Sequence, residues 1–300
     1  MNRFIVGTRK SLLALAQAKG VIRRLKKLFP ECQFVRKGIV TRGDRLKKWP
    51  QEQAKGLFVK EIEDALLSKK IDIAVHSMKD LPVEMPQELK IAAVPKRENW
   101  QDVLVSRNNK KLHELKRSSR VGTSSPRRKS QLLAARPDLK VVDIRGNVDT
   151  RLKKLWAKKY DAIVMAAAGL SRLGLENVIS EYLDESIMLP APSQGALGIQ
   201  TRAGDARTNK MLGKLNHYST RLEVEAEREF LKAMGGGCRV PIAALARLNK
   251  QKLSIKAAVA SEDMKILVRA EISGEKTESR ELALKLAEKI RKKLRTVNEK

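Results

Sequence analysis

Short apolar runs recur along this chain, each followed by a polar turn and then by apolar residues at helical spacing. Phe4-Ile5-Val6 leads through Thr8-Arg9-Lys10-Ser11 to Leu12, Leu15, Ala16, Ile22, Leu25 and Leu28. Arg120-Val121-Gly122 leads through Thr123-Ser124-Ser125-Pro126 to Leu132, Leu133 and Ala135. Ile71–Val75, Val141–Ile144 and Asp161–Met165 are built in the same way. Runs this short and continuously apolar fit strands covered on both faces. Strand, turn and helix in series make the βα unit of an α/β domain.

The turns carry cations at the same structural place. Arg9, Lys79, Arg127 with Arg128, and Arg145 all follow strand ends, and Arg151 falls on the next helical turn. Open α/β sheets bind ligands at the C-terminal ends of their strands, and a helix N-terminus attracts anions. Each position alone has a plainer reading, as when Ser11 is an N-cap beside a solvated arginine. Lys79-Asp80 fits a surface ion pair, or a cation and a carboxylate set in a cleft. Around 123–128 the signal is stronger. Ser124 or Ser125 can cap, and Pro126 suits the first helical position. Arg127 and Arg128, however, oppose the helix dipole, so an anion is expected to reconcile them. The series as a whole describes a cleft for a ligand with many carboxylates or phosphates.

Pro95–Glu98 and Pro190–Gln200 read as crossings between lobes, and the strand after Gly195 is expected to rejoin the first sheet. The expected fold is therefore α/β, with two periplasmic-binding-protein-like lobes joined by double hinge crossings. The first lobe is assigned to 1–97 and 194–214, and the second to 98–193. A long helix near Ser219–Met234, three alternating strands and a final helix make 215–300 a small α+β domain.

That last domain carries Gly235-Gly236-Gly237-Cys238-Arg239-Val240-Pro241. Glycines free the backbone for positive φ, and a neighbouring arginine favours thiolate. Cys32 is the only other cysteine, too few for a disulfide framework, so a reduced, cytoplasmic protein is expected. His76, His113 and His217 show no zinc-type spacing, and no metal is expected. No apolar run is long enough to span a membrane. The net charge of +29 fits either a nucleic-acid binder or an enzyme for a polyanion on a lysine-rich background. Aromatic residues make up only 4%, too few for base-stacking platforms, and there is no long basic tail.

The ordered motifs resemble those of the porphobilinogen deaminase (hydroxymethylbilane synthase) family over essentially the whole length. They are Gly7–Ser11, Thr41-Arg42-Gly43-Asp44, Lys55–Glu61, His76–Asp80, Gly122–Ser125 with Arg127-Arg128, Arg145-Gly146-Asn147, Ala168-Gly169-Leu170, Gln194-Gly195-Ala196 and the Cys238 loop. The resemblance implies a transferase that joins four porphobilinogen molecules head to tail and releases ammonia at each step. It implies a dipyrromethane cofactor bound through a thioether to Cys238. Asp80 would contact pyrrole nitrogens and stabilise the cationic azafulvene. Cofactor contacts would come from Lys79, Asp80, Thr123, Ser124, Ser125, Arg127, Arg128, Arg145, Gly146 and Arg151. Substrate contacts would come from Arg9, Ser11, Gln17, Lys55, Phe58, Arg145, Arg151 and Arg172. The implied protein is a monomer whose partner is porphobilinogen, with no nucleic acid and no membrane. Thr41–Ala54 is polar without a clean period and reads as a long loop; Leu12, Pro126 and Asp149 depart from the common family pattern, and the part of that loop from Arg45 to Ala54 looks slightly short.

Overall fold

A computed structural model of the protein describes residues 2–45, 59–236 and 241–298. The chain divides into two compact units, Met1–Glu98 with Ala196–Arg221, and Asn99–Gly195 with Leu222–Lys300. The first begins with β1 (Asn2–Arg9), α1 (Leu12–Leu28), β2 (Cys32–Ile39), the short α2 (Arg42–Arg45), α3 (Lys60–Leu67), β3 (Ile73–Ser77) and β4 (Leu89–Ala93). The second opens with β5 (Asp102–Ser106), β6 (Arg120–Gly122), α4 (Pro126–Ala135), β7 (Lys140–Val142), α5 (Val148–Trp156), β8 (Ala162–Ala166), α6 (Ala167–Ser171) and β9 (Glu181–Tyr182). The chain then returns to the first unit with β10 (Leu197–Arg202) and α7 (Ala206–Gly213). Next comes α8 (Tyr218–Ala233), whose first residues belong to the first unit and the rest to the second. β11 (Ile242–Asn249), β12 (Lys252–Ala260), β13 (Leu267–Glu275) and α9 (Ser279–Asn298) complete the second unit.

The two larger sheets share one plan. In the first the order is β2-β1-β3-β10-β4, and in the second β7-β6-β8-β5-β9. Each has three parallel strands, followed by two antiparallel pairings toward the other edge. The expected return strand is therefore real: β10 pairs with β3 from Leu197↔Ser77 to Gln200↔Ala74. The central strands β3, β5 and β8 are almost wholly buried, as their continuous apolar runs predict. Phe4 and Phe34 stack 5.5 Å apart in the first core. Leu104, Val121, Leu132 and Val164 fill one face of the second sheet.

β11, β12 and β13 form an antiparallel sheet covered by α8 and α9, with Phe230, Ile255, Leu286 and Ile290 fully buried between them. A satellite cluster joins Leu189 and Trp100 to Ala243, Leu245 and Ala258, so this small α+β region packs within the second unit. Three details differ from the sequence reading. The loop expected over Thr41–Ala54 starts with α2, and the rest of it lies outside the described residues. β9 and α7 were not foreseen, because two and eight residues give too little periodicity. Segment 215–221 was expected to open the third domain but clusters with the first unit. There His217 N–H donates to Val94 O at 2.8 Å and Thr220 Oγ1 accepts from Arg97 N–H at 3.1 Å. No helix among the described residues is long and apolar enough to cross a membrane.

Candidate active site

In the first unit, Arg9, Ser11, Gln17, Val59, His76, Ser77 and Asp80 line a small pocket of about 50 Å³. The fold brings them together because β1 and β3 are adjacent and parallel, so their C-terminal ends meet. Arg9 is the last residue of β1. Ser11 caps α1, accepting from Ala14 N–H at 3.4 Å. Gln17, one turn further on, donates to Ser77 Oγ at 3.5 Å. Asp80 ends a single 3₁₀ turn after β3, where it and Lys79 are exposed. Lys55 and Phe58 lie outside the described residues.

Asp44, which the sequence reading quoted in a motif without a role, ion-pairs with Arg9 at 2.5 Å between Oδ1 and Nη2. Its Oδ2 also accepts from Thr41 N–H and Oγ1–H, at 3.3 and 2.9 Å. Burial raises the Asp44 pKa, but the Arg9 guanidinium and the Thr41 donors outweigh it, and the net shift is downward. Its carboxylate occupies the guanidinium that the resemblance assigns to a ligand.

His76 closes the buried side of the pocket. Gln200 Nε2 donates to Glu63 Oε1 at 2.8 Å, so Gln200 Oε1 faces His76 Nε2–H, which donates to it at 3.0 Å. Burial pushes the imidazole pKa down to about 4 from 6.5, the Gln200 bond opposing it. Between those two values an unfolded chain binds the proton and the folded one does not, so stability falls as pH drops from 6.5 toward 4. The complete effect is worth about 3 kcal/mol. His76→Gln is therefore expected to lose less of its melting temperature than the wild type between pH 7 and pH 5. Equal losses in thermal melts would show that other groups govern this range.

In the second unit two strand-to-helix turns lie side by side, because β6 and β7 are parallel neighbours. Ser125 caps α4, accepting from Arg128 N–H at 3.4 Å, and Pro126 takes the first helical position as expected. Ser124 Oγ–H donates to Ile144 O at 2.9 Å and Oγ accepts from Ile144 N–H at 3.0 Å, tying the two turns together. Thr123 is buried, its N–H on Val142 O. Gly146 sits at φ +119, and a Cβ there would lie 2.6 Å from Thr150 Cγ2, so the turn requires glycine. Arg145 is exposed. Arg151 Nε–H donates to Gly146 O at 2.7 Å, and Arg172 Nη2–H to Gly195 O at 2.6 Å. Asp149 is exposed on the first turn of α5, where its charge suits the helix dipole.

The expectation that a ligand anion reconciles Arg127 and Arg128 with their helix start needs correction. Both are 6% exposed, and the anion is the fully buried Asp102, which bonds Arg127 Nη1 and Arg128 Nη2 at 2.7 Å each. Burial alone would raise the Asp102 pKa, yet the two guanidiniums hold it far below the usual carboxylate range. An acid opening the apolar run Val103-Leu104-Val105 was the signal available in the sequence. Arg151 differs. Among the described residues it has no carboxylate partner, and burial, with the charge of Arg128 second, lowers its pKa to about 10. A half-buried cation in that condition fits a ligand that brings carboxylates.

Beyond Gly236 the chain leaves the described residues, and Cys238 lies outside them. The approach to it is well formed. Gly235, at φ +92, donates to Lys232 O, and Gly236, at φ +55, donates to Leu231 O. These paired bonds are a Schellman cap on α8, and they account for two of the three glycines.

Residues 4–210 match the family model described as "Porphobilinogen deaminase, dipyromethane cofactor binding domain". Residues 221–292 match "Porphobilinogen deaminase, C-terminal domain". The chain is 49% identical over 291 residues to the porphobilinogen deaminase of Thermus thermophilus, covering 97% of this chain and 96% of that one. It is 48% identical over 278 residues to the porphobilinogen deaminase of Bacillus subtilis, covering 91% and 88%. Among solved structures it is similar to the periplasmic aliphatic sulphonate binding protein SsuA from Escherichia coli, with 14% identity and a TM-score of 0.41 over 79% of this chain and 71% of that one. With both domain models matched in order along nearly the full length, the chain belongs to the porphobilinogen deaminase family.

Proposed function

We propose that this chain condenses four porphobilinogen molecules head to tail into the linear tetrapyrrole hydroxymethylbilane, with a dipyrromethane primer held on Cys238. Each condensation forms one carbon–carbon bond, breaks the aminomethyl carbon–nitrogen bond and releases one ammonia, the α-hydrogen of the attacking pyrrole leaving as a proton; after the fourth, water cleaves the bond between primer and tetrapyrrole and supplies the hydroxyl group of the product. The observation that carries this reading is the pocket of the first unit, where Arg9, Ser11, Gln17 and Asp80 meet from distant parts of the chain.

The residues divide the work. Arg9, Ser11, Gln17 and Arg172 bind acetate and propionate side chains of the substrate, and Lys55 and Phe58 border it. Asp80 accepts from the pyrrole N–H and favours the cation left when ammonia departs. Lys79, Thr123, Ser124, Ser125, Arg127, Arg128, Arg145, Gly146 and Arg151 hold the primer, with Arg145 and Arg151 also meeting substrate. The primer, when bound, supplies the nucleophilic pyrrole carbon. In this reading the protein is a cytoplasmic monomer, divided at 1–97 with 194–214, 98–193, and 215–300.

The test joins two measurements on the purified protein. Intact mass is expected above the sequence value by two pyrrole units, and added porphobilinogen is expected to disappear with one ammonia released per molecule consumed. A loaded protein that leaves porphobilinogen untouched would overturn the reading.

A further inference from the structure

Asp102 has no role in the reading above, yet it organises the arginine pair. Its Oδ1 accepts from Arg128 Nε, Arg128 Nη2 and Gln194 Nε2 at 3.1, 2.7 and 3.0 Å. Its Oδ2 accepts from Arg127 Nη1 at 2.7 Å. Arg128 is then committed through all three nitrogens, since Nη1 donates to Val164 O at 3.0 Å. Arg127 is committed through one only, as Nη1 also donates to Leu189 O at 2.6 Å. Its Nε and Nη2 take no acceptor among the described residues. That is the edge with which a guanidinium grips a carboxylate by two parallel bonds.

We propose that Asp102 is a positioning residue that fixes the Arg127 guanidinium with its Nε–Nη2 edge free for a primer carboxylate. This rests on the assignment of Arg127 to primer binding. The charge balance supports it. One carboxylate between two guanidiniums leaves the group at net +1, and Arg151, close enough for its pKa to be lowered by Arg128, adds a further positive charge. A buried pair of like charges without Asp102 would repel and turn away from each other. Gln194 adds a second hold, as its Nε2 also donates to Trp100 O at 2.8 Å.

Asp102→Asn separates the two arginines. The asparagine oxygen replaces Oδ1, where three donors converge, so its amide NH₂ faces Arg127 Nη1, donor against donor. Arg128 keeps its place and Arg127 loses its anchor. The fraction of protein carrying the two-pyrrole mass increment is expected to fall about tenfold or more, both as purified and after incubation with porphobilinogen. The control is Asp161→Asn in the same unit, which breaks the ion pair to Arg107. It is expected to stay loaded at a comparable loss of melting temperature. Full loading of Asp102→Asn overturns the proposal, and so does an equal loss of loading in the control, which would make Asp102 merely structural. If Asp102→Asn does not fold, Asp102→Glu decides. It keeps the charge but advances the carboxylate by one methylene, and full loading of that variant overturns the proposal. A wild-type protein of bare sequence mass would overturn the functional reading instead, and this role with it.

Discussion

Asp80→Asn is expected to lower the turnover of porphobilinogen by about 10²–10⁴-fold while leaving the fold intact. The side chain ends a 3₁₀ turn after β3, exposed beside the pocket, so little packing depends on it. Surface changes of this kind shift stability by about 0.5 kcal/mol or less. Asparagine keeps the shape and one accepting oxygen but loses the charge. If Asp80 stabilises the cation formed as ammonia leaves, the loss falls on kcat, because the charge is needed only as the carbon–nitrogen bond breaks. If it merely orients the substrate, KM rises and kcat is kept. Steady-state kinetics at matched primer loading, with a thermal melt to confirm the fold, separate the two. Near-normal turnover would remove Asp80 from the chemistry altogether.

What the sequence disclosed was local. Ser11 and Ser125 were legible as caps, and β10 as a returning strand, because capping and short apolar runs are written in neighbouring residues. The meeting of Arg9, Ser11 and Asp80 followed from one rule, that parallel strands place their C-terminal ends together. What stayed hidden was the pairing of charges across the chain. Asp102 lies 25 and 26 residues from its two arginines, Asp44 lies 35 from Arg9, and His76 lies 124 from Gln200. No periodicity encodes such contacts. A basic series therefore reads from sequence as one undivided ligand cradle. The structure sorts it into Arg128, bonded from within through all three nitrogens, Arg127, held by Asp102 through Nη1 alone, and Arg151, which no carboxylate among the described residues meets.

Cys238→Ala is expected to abolish primer loading and with it all measurable turnover, the largest effect of any single change in this chain. The sequence holds two cysteines, and the structure shows why the other cannot substitute. Cys32 is buried at the start of β2, and burial, followed by the hydrogen bond and charge of Glu31, pushes its thiol pKa up. A thioether forms from thiolate, so burial and the raised pKa both disfavour attachment at Cys32. Cys238 instead follows the Schellman cap of α8, two residues past Gly236, with Arg239 beside it to favour thiolate. The Cys238→Ala variant should therefore show the bare sequence mass, while Cys32→Ala keeps the two-pyrrole increment and its turnover. Alanine at position 238 removes one sulfur at a position beyond a helix already capped by Gly235 and Gly236, so the melting temperature of the unloaded protein should scarcely change. An increment that persisted in Cys238→Ala would move the attachment point elsewhere. Turnover that persisted without any increment would mean that the chain can start a tetrapyrrole from free porphobilinogen, and that Cys238 serves another purpose.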